Sequence, residues 1–163
     1  MSSDEGNDTN ADRPSSIPWP PLLIVAMLTT AIALGNYLPL PWPGIDDMPA
    51  RVIGIGLGAL GVMLFIWAGY TLWRHDTTVM PHKGSTALAT NGPFAWVRNP
   101  IYLGDALIFL GVGEFTKNIW FVILTPVFAA LVTWLAILPE ERYLEKKFGD
   151  AYRAYKEKTR RWI

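Results

Sequence analysis

The chain has 163 residues, of which 51% are hydrophobic, and its 14 lysines and arginines balance 14 aspartates and glutamates. The apolar residues are gathered into long runs, which is typical of membrane-spanning helices and excludes a water-soluble globular fold. Cysteine is absent, so disulfides and thiol nucleophiles are excluded. Because the only imidazoles are His75 and His82, no metal site is expected.

The first segment of the chain differs from the rest. Residues 1–18 are acidic and polar, without the positively charged leader of a secretory signal peptide, and are predicted to form a disordered N-terminal tail. No internal repeat divides the remainder of the chain. Residues 19–163 are therefore predicted to form a single domain.

Long apolar runs succeed one another along this domain. Residues 22–40, 52–73 and 119–138 each approach or reach the roughly 20 residues that cross a hydrocarbon core. A shorter run at residues 101–113 is predicted to be a further span that starts in the interface or lies deep in the bundle. The predicted fold is all-α, an integral membrane helical bundle with about four transmembrane helices.

Basic residues predict the orientation of the bundle. Arg74, Lys83 and Arg98 share the loop between the second and third runs, and the tail beyond residue 141 is also rich in lysine and arginine. Both segments should face the cytoplasm, and an even number of spans then places both termini there. The predicted location is a bacterial inner membrane, with the basic tail resting on anionic membrane lipids.

The second run contains a literal G-x-G-x-x-G within residues 54–61. A dinucleotide-binding fingerprint needs a preceding strand and a following helix, whereas this motif lies inside a predicted span. Gly54 and Gly58 also form a small-xxx-small pair that lets helix backbones approach closely. We therefore predict helix packing at this motif.

The segment 92–104 predicts a helix entrance beside a cation. Asparagine is favoured at the N-cap and proline at the first helical position, so Asn99 and Pro100 predict a helix that begins near residue 100. Its free backbone N–H groups would point toward the loop that carries Arg98. Together they favour binding of a carboxylate or phosphate.

The C-terminal segment predicts an amphipathic cytoplasmic helix. Leu144, Phe148, Tyr152 and Tyr155 are spaced four, four and three residues apart, which places them on one helical face, with a break expected at Gly149. The simplest interpretation is a helix that lies on the bilayer surface.

Acidic residues near the predicted span ends leave alternatives open. Glu140 and Glu141 either favour a helix N-terminus or bind a cationic or hydroxyl-bearing ligand. Asp105 either faces the interface or lines a pocket. His82 is either a polar loop residue or a ligand contact, and Asp105 and His82 are weak candidates for substrate contacts.

The order of these elements resembles the isoprenylcysteine carboxyl methyltransferase and phospholipid methyltransferase superfamily. The resemblance covers about residues 70–160. It rests on the loop 88–94, the element Arg98-Asn99-Pro100-x-Tyr102, a hydrophobic hairpin, Glu140-Glu141, Phe148-Gly149 and Tyr152. It implies a cofactor-binding core over residues 70–160 and a membrane enzyme that uses S-adenosylmethionine on the cytoplasmic side.

The resemblance also implies which residues meet the cofactor. The contacts it implies are Thr86, Ala87, Leu88, Ala89, Phe94, Asn99, Pro100, Ile101, Tyr102 and one of the paired glutamates, Glu140 or Glu141. Arg98 is expected as a further cofactor contact, because its charge suits the carboxylate of the cofactor. The implied acceptor is a lipophilic or lipid-modified molecule, either an isoprenylcysteine-type carboxylate or a phospholipid-type amine. Neither a metal nor a nucleic-acid partner is implied, and no catalytic residue is assigned.

Two departures from the superfamily pattern bear on the acceptor. Asn99 stands where histidine most often follows the arginine, which keeps the capping role without a titratable ring. The apolar residues 135–138 occupy the stretch where the isoprenylcysteine branch has a substrate-linked arginine. An NADPH-dependent membrane reductase and a noncatalytic membrane interaction protein are the alternative functions.

Overall fold

The computed structural model describes residues 17–74 and 88–163. The helices are α1 (Trp19–Tyr37), α2 (Met48–Arg74), a short 3-10 turn (Gly92–Ala95), α3 (Pro100–Thr116), α4 (Ile119–Val132), a π-helical turn (Thr133–Ile137), α5 (Leu138–Phe148) and α6 (Asp150–Lys158). Apart from residues 17 and 18, the predicted N-terminal tail lies outside the described residues.

The helices pack in the order α1, α4, α3, α2, with each one against the next. Three of them are long and apolar enough to cross a membrane, namely α1, α2 and the continuous helix Ile119–Phe148. α3 has 17 residues, a length of about 26 Å at a rise of about 1.5 Å per residue. Because α3 lies between α2 and α4, it is apolar almost all round. The predicted helical membrane bundle is confirmed, and the three long predicted runs each fall on one of these long helices.

Glycines set the close contact between α2 and α3. A Cβ atom placed on Gly111 of α3 would lie 2.6 Å from the Gly58 nitrogen and 2.7 Å from the Gly54 oxygen of α2. Real Cβ atoms do not approach backbone atoms so closely, so the two helices depend on a bare backbone here. The glycine-rich motif in α2 therefore packs helices, as predicted.

We expect Gly111→Ala to destabilise the bundle, because the added methyl group must push α2 away from α3. Overpacking of this kind typically costs about 1–3 kcal/mol. Thermal unfolding in detergent would measure the loss. Gly56→Ala is the matched control, because a Cβ there meets nothing within 4 Å. A similar melting temperature for the two variants would contradict this account.

A proline explains the change of helix type before α5. The backbone N–H of Leu138 bonds to the oxygen of Thr133, five residues back, which is a π-type bond. Pro139 comes next, and it has no N–H with which to continue the regular ladder. The wide turn thus ends the apolar part of the helix and sets the direction in which the acidic residues of α5 point.

The other end of the bundle is closed by polar contacts. Lys117 ends α3 in the left-handed conformation, with φ of 56°. Its ammonium pairs with Glu114 and donates to the oxygen of Ile45 in the α1–α2 loop, at 3.0 Å. Asn118 then caps α4 by accepting from the Trp120 nitrogen. The tight α3–α4 connection is therefore bonded to the α1–α2 loop.

Candidate functional site

The candidate site lies where α3 begins. α3 starts at Pro100 with Asn99 in the N-cap position, as predicted. The Asn99 side chain does not cap the helix, however. Its amide nitrogen donates to the Arg161 oxygen at 3.0 Å, so it holds the C-terminal segment against the helix entrance. The position of the helix start was therefore predicted correctly, while the contact of the asparagine was not.

Arg98 is held in a network of its own chain. Its Nε donates to the Glu141 carboxylate at 3.2 Å, and the Arg98 side chain is only 11% exposed. Its Nη1 donates to the main-chain oxygens of Lys156 and Thr159, at 3.1 and 2.5 Å. One guanidinium thus joins the loop before α3 to α5 and to the end of α6. Direct binding of a cofactor anion by Arg98 stays a prediction, and the contacts that the structure does give Arg98 are internal.

Glu141 is neutralised by a second arginine. Arg161 grips its carboxylate with two bonds, Nε to Oε1 at 3.0 Å and Nη2 to Oε2 at 2.7 Å. This two-point geometry is the strong form of an arginine–carboxylate pair. Hydrogen bonding to Glu141 raises the pKa of Arg161, so this guanidinium stays charged. Both oxygens of Glu141 are therefore occupied by the protein itself.

The aromatic stripe of the C-terminal helices packs on the protein. Tyr152 is 1% exposed, and Tyr155 donates its hydroxyl to the Phe94 oxygen at 2.7 Å. Burial raises the pKa of Tyr155 to about 12, so the hydroxyl keeps the proton that it donates. The predicted break at Gly149 is confirmed, since α5 ends there and α6 begins at Asp150. The prediction that this stripe rests on the bilayer was wrong for these tyrosines. The spacing of the residues predicts that one helix face is covered, but it does not predict whether lipid or protein covers it.

Three polar side chains near the α3 entrance have no such partners. Within the described ranges, Tyr102, Asp105 and Glu140 make neither a side-chain hydrogen bond nor an ion pair. Asp105 follows Tyr102 by about one turn of α3, and Glu140 is adjacent to Glu141, which Arg98 holds at the α3 entrance, so the three groups lie at the same end of the bundle. Asp105 and Glu140 are half-buried. Carboxylates in such a place are costly unless a ligand or a partner pairs with them.

The described residues among the remaining predicted contacts lie at the same end of the bundle. Thr86, Ala87 and His82 lie outside the described residues. Ala89 and Phe94 are buried in a small cluster with Ala68 of α2, and Leu88 is half-buried. Pro100 is fully buried, while Ile101 packs against both this cluster and the main core. The structure thus brings the 3-10 turn, the α3 entrance and α5 to one end of the bundle.

A cleft of about 370 Å³ lies at the end of α2 beside the 3-10 turn. Its lining residues are Trp67, Tyr70, Thr71, Arg74, Asn91 and Gly92. The Arg74 guanidinium lies 5.8 Å from the centre of the Tyr70 ring, within range of a cation–π interaction. The cleft combines aromatic surface with a cationic group, and Trp67 and Tyr70 are also exposed on the outside of the bundle.

Sequence reasoning did not identify the role of Arg161. It stands among other basic residues of the tail, and no local pattern distinguishes it from them. Its contact with Glu141 joins residues 20 positions apart and depends on the fold of α5 and α6. The related signal in the sequence is the aromatic stripe with Tyr152 and Tyr155, both of which the structure shows to be buried.

These features define a helical membrane protein with a polar site at one end of its bundle, built from α3, α5 and the C-terminal segment. The sequence profile of the phospholipid methyltransferase family matches residues 49–151, more than half of the chain. The chain belongs to this family of membrane methyltransferases.

The chain is also similar to an uncharacterized protein of Haemophilus influenzae. The two are 39% identical over 69 residues, which is 42% of this chain and 84% of that protein. No solved structure is significantly similar to the chain.

Proposed function

We propose that the protein transfers a methyl group from S-adenosylmethionine to a lipophilic acceptor, at the end of the bundle where α3 begins. Membership of the methyltransferase family supports the reaction class. The observation that carries the proposal is the contrast within the glutamate pair. Glu141 is held by two arginines, whereas Glu140 has no hydrogen bond or ion pair among the described residues.

Glu140 suits the cationic and hydroxyl groups of the cofactor. The amino acid end of S-adenosylmethionine carries an ammonium group, and its ribose carries two hydroxyls, all of which can donate to a carboxylate. A half-buried carboxylate without a partner gains more from such a donor than an exposed one does. We therefore assign the cofactor contact to Glu140, and we assign Glu141 to the internal ion pairs.

S-adenosylmethionine would supply an electrophilic methyl group on a positively charged sulfur. The residues of the chain need only hold that group in line with the acceptor and exclude water, which can account for about 7–11 kcal/mol of barrier lowering in favourable cases. The Tyr102 ring and the carboxylates beside it could face the positive charge. Neither a metal nor a protein nucleophile is required for this displacement.

Two acceptor types are compatible with this chemistry. A carboxylate acceptor is ionised near neutral pH and needs no base, whereas an amine acceptor must first lose a proton. Asp105, half-buried beside Tyr102, is suited to receive that proton. The cleft at the end of α2 supports a lipid acceptor, because aromatic side chains and Arg74 suit a headgroup near the membrane interface. Together with the phospholipid acceptors of the family, these features favour an amine acceptor over a carboxylate acceptor.

Ligand titration tests the proposed donor. Full-length protein in detergent would be titrated separately with S-adenosylmethionine, its demethylated product and NADPH. We expect saturable binding of both methyl-cofactor forms and none of NADPH. Saturable binding of NADPH alone would favour the reductase. If no cofactor binds, the noncatalytic interaction protein is favoured and the proposal is overturned.

A labelling experiment identifies the acceptor. The purified protein would be incubated with methyl-labelled S-adenosylmethionine and a bacterial membrane extract. We expect base-stable label in the phospholipid fraction, which indicates methylation of an amine headgroup. Volatile label released by base would instead indicate a carboxyl methyl ester and would contradict the amine assignment.

Asp105→Asn should slow transfer to an amine at neutral pH, with the deficit decreasing as the pH rises and the amine deprotonates.

A further inference from the structure

The last residues of the chain contact the residues of the candidate site. The family match ends at residue 151, yet Tyr152, Tyr155 and Thr159 are all buried beyond that point. Residues 159–162, which we call the C-terminal clasp, then run back along the loop that precedes α3. Each clasp residue makes a hydrogen bond with the rest of the chain.

The backbone of the clasp pairs with the loop as a short parallel bridge between Val97 and Arg160. The Arg98 nitrogen donates to the Arg160 oxygen at 2.8 Å, and the Arg160 nitrogen donates to the Trp96 oxygen at 3.3 Å. The Asn99 side chain adds a third bond, to the Arg161 oxygen. The clasp therefore holds residues 96–99, the loop that leads into α3.

The Trp162 side chain attaches the clasp to the transmembrane part. Its indole nitrogen donates to the Thr133 hydroxyl at 3.2 Å, at the start of the π-helical turn. The ring also packs against the main hydrophobic core. The tail therefore contacts the loop before α3 through its backbone and the α4–α5 helix through Trp162.

Arg161 fixes the side chain of Glu141 with two bonds, while Arg98 shares one of the same oxygens. Neighbouring residues of an α-helix point about 100° apart, since one turn takes about 3.6 residues. With Glu141 held toward the arginines, Glu140 is presented to a different side of α5. The orientation of Glu140 thus depends on a contact that Glu140 does not make itself.

We propose that the C-terminal clasp orients the candidate cofactor contact Glu140, and that Arg161 is a positioning residue that acts through Glu141. This inference rests on the proposed function, because it takes Glu140 as the cofactor contact. Arg161 is 38% exposed along its side chain, so it can be replaced without opening the core. Arg161 need not contact the cofactor. It affects cofactor binding by fixing the orientation of α5 and of the loop at the α3 entrance.

The test compares variants of Arg161 in the full chain. For Arg161→Ala, we expect at least a tenfold weaker Kd for the demethylated cofactor product, measured on the folded, monodisperse fraction. Arg161→Lys keeps the charge but loses the two-point grip, so we expect an intermediate Kd. Lys158→Ala is the control, since Lys158 is exposed and has no side-chain partner among the described residues, and its Kd should equal the wild-type value.

The outcomes separate the inference from the proposed function. If the wild type binds the cofactor and folded Arg161→Ala binds it equally well, the clasp has a purely structural role and only the positioning inference is overturned. If the wild type itself binds neither methyl-cofactor form, the proposed function is wrong and the positioning role falls with it. Should Arg161→Ala fail to fold, Arg161→Lys decides the question by the same comparison of Kd values.

Discussion

Replacing Glu140 by glutamine is expected to weaken binding of S-adenosylmethionine by about 10- to 100-fold. This magnitude corresponds to the loss of a hydrogen bond to a charged group, worth about 1.5–3 kcal/mol. Folding stability should not fall, because the described part of the chain gives Glu140 no ion pair to lose. Removing a half-buried charge should even favour the folded state. Calorimetric titration and thermal unfolding of the same preparation would measure the two effects.

The control for this prediction is Glu157→Gln. Glu157 is an exposed residue of α6, so the same change of charge is made away from the candidate site. We expect unchanged cofactor binding. Equal weakening in both variants would point to a general electrostatic effect and would argue against a specific role for Glu140. A strong loss of stability in Glu140→Gln would show that its partner lies within the protein.

Replacing Arg98 by alanine is expected to affect stability and binding together. The change leaves Glu141, 8% exposed, with one arginine instead of two, and it leaves two main-chain oxygens without their donor. Breaking a buried ion pair typically costs about 3–5 kcal/mol. Because Arg161 remains in place, we expect a loss at the lower end of that range. Denaturant unfolding in detergent measures this loss, and cofactor titration should show weaker binding in the folded fraction.

An exposed arginine provides the matched control. Arg153 also donates from Nε and Nη2 to a carboxylate, that of Asp150, but both side chains lie at the surface. Exposed pairs contribute little, so Arg153→Ala should leave both stability and binding nearly unchanged. Because Glu141 also pairs with Arg161, the Arg98 contribution is isolated by a double-mutant cycle of Arg98→Ala, Glu141→Gln and the double variant, in which we expect non-additive losses. Additive losses would show that the Arg98–Glu141 pair is not the cause of the loss.

Features that depend on residues close together in the sequence could be predicted from it. The Asn99-Pro100 pair predicted the start of α3, because both residue types favour the same end of a helix. The glycines of α2 predicted close helix packing, because a residue without a side chain allows a neighbouring helix backbone to approach. Long apolar runs similarly predicted the spanning helices.

Contacts between distant residues could not be predicted in this way. Arg98 and Glu141 are 43 positions apart, and which glutamate of the pair meets the arginines depends on the rotation of α5. That rotation is set by the π-helical turn before Pro139. The hydropathy pattern of the sequence does not reveal such a turn. The same limit applies to Arg161, whose partner is defined only once α6 folds back.

The order in which the helices pack constrains how the protein assembles in a bilayer. α1 and α2 are consecutive in the chain, yet α1 packs mainly on α4 and α2 mainly on α3. The first two helices would therefore remain apart after insertion, until the α3–α4 hairpin enters between them. The α1–α2 loop is tethered to that hairpin by Lys117 and by Trp120, which donates to the Leu38 oxygen. Shortening this loop should trap inserted but unassembled helices.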